Sequence, residues 1–189
     1  MKLRMMVALL AFGLLSTSMA SEKVVYGKDN RLDLKETVNE LHYNLAKSTA
    51  AMVSNSRVNV KDKMATISGS VLSSRGICES ARFADQMTAA SCSGFLVAPN
   101  LLVTAGHCIR THSDCRSNSW VFDYSIDEGS NYTPGSNKMS VPSENVYRCE
   151  AIVERKLERG SMNDYALIRL ERDVEDREPL EFRTEGKVR

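Results

Sequence analysis

Between Cys92 and Cys108 the chain reads Cys-Ser-Gly-Phe-Leu-Val-Ala-Pro-Asn-Leu-Leu-Val-Thr-Ala-Gly-His-Cys. Two apolar runs, Ser93–Ala98 and Leu101–Thr104, flank Pro99-Asn100. Proline presets its own φ and asparagine tolerates turn conformations, so this pair marks a tight turn between two strands. Short runs of the same kind recur at Thr49–Val53, Met64–Val71, Trp120–Tyr124, Val146–Val153 and Ala166–Leu170. Short strands at this spacing, joined by polar turns, predict an antiparallel barrel or sandwich. Asp127 to Pro142 is rich in Ser, Asn, Gly and Pro and reads as a long exposed loop. The charged tail from Glu171 to Arg189 reads as a connector and not as a domain.

The first residues speak to compartment. Lys2 and Arg4 form a basic segment, Met5 to Leu15 is apolar, and Ser18 and Ala20 are small residues where a signal peptidase reads. This is the pattern of a secretory signal peptide over residues 1–20, cleaved after Ala20, for a secreted or periplasmic product. A membrane anchor is disfavoured, because the apolar run covers only about half of a ~30 Å hydrocarbon core. From Ser21 to Lys47 the chain is polar, with Leu34, Val38, Leu41 and Leu45 at a spacing that permits a short amphipathic helix. Residues 21–47 are either a propeptide or part of the mature protein. The net charge of +1 gives no electrostatic reason to expect nucleic acid or an anionic membrane as a partner.

Five cysteines in an exported chain are read first as a disulfide framework. Cys115 and Cys149 flank the Trp120–Tyr124 strand and the polar loop after it, which makes them candidates to pair. Cys78 then lacks a partner, and an odd cysteine hints at a chain that continues past Arg189. His107, Cys108, His112 and Cys115 fall close together and invite a zinc reading, but thiolate sites suit reducing compartments. No metal and no cofactor is expected. His112 and His42 have no surrounding motif and read as surface histidines. Asp123, Asp127, Glu128 and Asn131 do not reproduce a calcium-loop spacing, so no calcium site is assigned.

The Cys92–Cys108 run resembles the segment that delivers the general-base histidine in trypsin- and chymotrypsin-like serine proteases. A second run, Asn163-Asp164-Tyr165-Ala166-Leu167-Ile168-Arg169-Leu170, resembles the strand opened by that family's orienting aspartate. The resemblance implies that His107 is general base and then general acid, that Asp164 fixes its ring, and that Cys92 is bridged to Cys108. Ala105 and Gly106 lack bulk, which lets the backbone pass close beneath the imidazole. Val24 to Arg31 resembles the region near the mature N-terminus of bacterial glutamyl-endopeptidase-like enzymes, and Arg82 to Gln86 resembles secreted bacterial members. The implied fold is all-β, the first antiparallel barrel of a two-barrel protease, over residues 48–175. Residues 176–189 would be the connector toward a second barrel that this chain does not contain.

In this family order the nucleophile follows histidine and aspartate. Gly69-Ser70, Ser93-Gly94, Gly129-Ser130, Gly135-Ser136 and Gly160-Ser161 all precede Asp164, and no serine follows it. The expectation is a secreted serine endopeptidase acting on protein or peptide substrates, present here as a truncated chain that is inactive alone. The other open reading is a non-catalytic protease homologue that acts as a binding module.

Overall fold

The computed structural model describes residues 28–126 and 132–186. It divides into two units, Met1–Arg31 and Leu32–Arg189. In the first, the Arg31 guanidinium grips the Asp29 carboxylate through two nitrogens, at 2.9 and 2.8 Å. The expected signal peptide, its expected cleavage site and the Val24–Gly27 part of the N-terminal resemblance lie outside the described residues.

The second unit opens with helix α1 (Glu40–Lys47), capped by Asn39, whose side chain accepts the His42 amide at 3.1 Å. There follow β1 (Thr49–Ser54), β2 (Val58–Lys61), β3 (Met64–Ser68), β4 (Ser70–Val71) and β5 (Met87–Thr88). Next come β6 (Ala90–Ala98), β7 (Leu101–Thr104), helix α2 (His112–Ser117) and β8 (Asn118–Val121). The last strands are β9 (Lys138–Pro142), β10 (Val146–Glu158) and β11 (Asn163–Leu170). No described helix is long and apolar enough to cross a membrane.

Six strands close an antiparallel barrel in the order β1-β6-β7-β11-β10-β8. This is the expected all-β architecture. Leu96, Leu102, Trp120, Phe122, Ile168 and Leu170 fill its interior and are fully buried. Outside the barrel, β2, β3 and β9 form a small sheet, and a second apolar cluster joins Val53 and Val121 to Ile67, Met139 and Val141. Strands β1 and β8 are therefore buried on both faces, which is why Met52-Val53 and Trp120-Val121 are apolar without alternation. Gly94 is demanded by this core: a β-carbon there would sit 2.2 Å from Leu102 Cδ2 and 2.9 Å from the Trp120 ring.

Four expectations are corrected. The stretch Asp127–Pro142 is not all loop, because Lys138–Pro142 pairs with β3 and buries Met139 and Val141 on alternate positions. The Trp120–Tyr124 strand ends at Val121, since Asp123 adopts a left-handed φ of 54° and turns the chain away. The Met64–Val71 run breaks at Gly69, where a β-carbon would stand 2.6 Å from the Thr88 carbonyl oxygen. The helix covers Leu41 and Leu45 but not Leu34 or Val38, and its apolar residues are largely exposed.

The tail after β11 has no regular structure over its described residues, yet it is bound to the barrel. Val174 and Leu180 donate their amides to the Pro99 and Leu96 carbonyls at 2.7 and 2.8 Å. The Ser48 hydroxyl donates to the Glu178 carbonyl at 2.5 Å.

Candidate active site

His107 stands just past the end of β7 and Asp164 at the start of β11, strands that are hydrogen-bonded neighbours. Pairing of Ala166 with Thr104 and of Leu167 with Val103 brings the two strand ends to one rim of the barrel. The imidazole Nδ1 then lies 2.6 Å from Asp164 Oδ2, and the His107 backbone amide donates to Asp164 Oδ1 at 2.9 Å. One carboxylate thus holds both the ring and the main chain of the same residue. His107 remains half exposed, with 53% of its side chain open to solvent.

The electrostatics fix the tautomer. The His107 hydrogen bond holds the Asp164 carboxyl below the usual carboxylate range, against a desolvation effect of opposite sign. An ionised carboxylate only accepts, so Nδ1 must carry the proton. In the neutral ring Nε2 is then a lone pair facing away from Asp164, the atom through which a histidine takes a proton.

Three features fix the turn that carries the ring. Gly106 sits where a β-carbon would be 2.4 Å from the Lys156 carbonyl oxygen and 2.8 Å from that of Tyr165, so the small residue is required by close approach. Cys108 is disulfide-bonded to Cys92 on β6, with Cα atoms 6.1 Å apart. Arginines hold two successive carbonyls: Arg155 Nε donates to Gly106 at 2.8 Å and Arg110 Nε donates to His107 at 3.2 Å. Neither arginine was marked in the sequence, because nothing in the residues around it shows that its head group meets a carbonyl.

The second disulfide joins Cys115 on α2 to Cys149 on β10, as the flanking positions suggested, and Cys78 is free and exposed. A family model for trypsin matches residues 79–187, more than half of the 189-residue chain. The chain belongs to the trypsin family. No curated protein matches it.

The trypsin-family assignment makes this chain a member of a protease family, and the disulfides bear on the zinc reading. Cys92, His107 and Cys108 place ligand-type atoms within 4.8 Å of one another. Both sulfurs are consumed in one bridge, so neither can give a thiolate, and Cys115 is consumed in the other. His42 and His112 are exposed. Asp123 is committed to Lys47 and Arg177, while Asp127, Glu128 and Asn131 lie outside the described residues.

Among the described residues no serine hydroxyl bonds His107. Ser161 donates instead to Glu158 at 2.7 Å, and Ser136 donates to the Lys138 carbonyl at 2.9 Å.

Proposed function

We propose that this chain supplies the histidine–aspartate half of a secreted serine-type endopeptidase. His107 is the general base that takes a serine proton during attack and returns it to the leaving amine. Asp164 keeps the ring in the Nδ1–H tautomer and stabilises the imidazolium formed during reaction. The observation that carries this reading is the double hold of Asp164 on His107, through the ring at 2.6 Å and the amide at 2.9 Å.

No serine follows Asp164 in this sequence, so the nucleophile that His107 would serve is left unassigned. The endopeptidase's substrates are proteins or peptides. Export by the N-terminal signal peptide fits a fold held by two disulfides.

A fluorophosphonate probe tests the assignment. The natural secreted product should be labelled, and His107→Ala should abolish the labelling. Undiminished labelling of His107→Ala would overturn the base assignment. A natural product that is never labelled would instead favour the non-catalytic binding module.

A further inference from the structure

The peptide bond between Gly106 and His107 is gripped at both ends. Its N–H, on His107, donates to Asp164 Oδ1 at 2.9 Å. Its C=O, on Gly106, accepts from Arg155 Nε at 2.8 Å. The two groups belong to one rigid amide plane, so fixing both edges fixes the direction in which the His107 side chain leaves the main chain. Hydrogen bonds in series also polarise one another, and a charged donor on the oxygen makes the N–H a better donor to the carboxylate.

The strands explain how Arg155 comes to be there. Arg155 lies on β10 opposite Ala166 of β11, two residues along from Asp164. Its neighbour Lys156 presents the carbonyl against which Gly106 is seated. The same short piece of β10 therefore supports the Gly106 turn with its backbone and clamps it with a side chain, while the paired strand supplies Asp164. Arg155 is part-buried, consistent with a head group directed at the turn and not into open solvent.

We propose that Arg155 is a positioning residue for His107, holding the Gly106–His107 amide plane so that the imidazole meets Asp164. The proposal rests on the functional reading above, in which the His107–Asp164 contact is the working one. In this role Arg155 acts through the Gly106 turn.

The Nδ1-bound proton of His107, observed by NMR in the full oxidised chain, reports the contact directly. In the parent chain it should resonate far downfield and exchange slowly with water. Arg155→Gln should accelerate that exchange roughly tenfold, the scale of losing one charge-assisted hydrogen bond. Arg155→Lys, which keeps a charged donor of different reach, should fall between the two and also serves if the glutamine variant does not fold. Arg159→Gln removes the same charge from the same hairpin and should change nothing. An Arg155→Gln chain with native amide dispersion and an unaltered proton signal overturns the proposal, as does an equal effect from Arg159→Gln. Asp164→Asn separates the two readings: if it leaves the proton signal untouched, the His107–Asp164 reading itself fails, whatever Arg155 does.

Discussion

A β-carbon on Gly106 would meet two carbonyl oxygens of the β10–β11 hairpin, and backbone atoms cannot swing aside as a side chain can. Gly106→Ala should therefore cost about 1–3 kcal/mol. Urea unfolding followed by the single tryptophan, Trp120, which is fully buried, measures it. Gly160→Ala is the control, since nothing lies within 4 Å of a β-carbon there, and it should be neutral within experimental error. The Asp164 carboxyl gives a second prediction. Its pKa is lowered chiefly by the His107 hydrogen bond, so the stabilisation is present above the ordinary carboxylate pKa and is lost as pH falls through the lowered value. Carboxyl-carbon NMR should show the Asp164 midpoint rising toward the ordinary range in His107→Ala. An unchanged midpoint would mean that His107 is not what lowers it. At this scale the two principal residues were legible because each sits in a contiguous run of specific residues. Arg155 and Arg110 were not, because a long charged side chain gives no sign in sequence of whether its head meets water or a carbonyl.

Among the elements, the strands that alternate or run apolar were found, and those that borrow their partners were not. β7 was read to the residue, since a tight turn precedes it and the Ala-Gly pair follows. β9 was missed because only Met139 and Val141 carry its period, inside a stretch whose composition signals a loop. β10 was cut short at Val153, yet it continues to Glu158 because the hairpin with β11 extends beyond the barrel core, where Glu154 and Glu158 reach solvent. The helix α2, also unmarked, is too short for periodicity to show. It rests on a capping box, in which Thr111 accepts the Asp114 amide and Asp114 accepts the Thr111 amide, and on the Cys115–Cys149 bridge to β10. That bridge closes a separation of 34 residues, for which chain entropy predicts a stabilisation of about 3–4 kcal/mol. The paired variant Cys115→Ser, Cys149→Ser should lose about that much in denaturant unfolding. A loss well under 1 kcal/mol would show that α2 is held by its caps and its packing alone.

Across the whole molecule, the segment after β11 behaves as a strap, and Arg177 is its buckle. The guanidinium is 2% exposed and bonds Asp123 at 3.3 Å, Asn145 at 3.2 Å, the Lys47 carbonyl at 2.9 Å and the adjacent Asp176. It also lies 4.7 Å from the centre of the Phe122 ring. A cation this deep persists only with partners, and Lys47, at 2.6 Å from Asp123, completes the group. The Arg177 hydrogen bond holds the Asp176 carboxyl below its usual range. Its contribution is therefore complete above about pH 4 and is lost as pH falls below that. Because Asp176 is more than half exposed, solvent screening keeps that contribution under about 1 kcal/mol, so Asp176→Asn should flatten acid unfolding only slightly. Arg177→Met is the sharper test, with an expected loss of about 3 kcal/mol at neutral pH. If Arg177 fastens the strap, hydrogen exchange at the Val174 and Leu180 amides should quicken in this variant more than at Leu102 or Ile168 inside the barrel. Equal acceleration at all four would mean that Arg177 supports the barrel as a whole, and that the strap is held by its backbone bonds to Pro99 and Leu96.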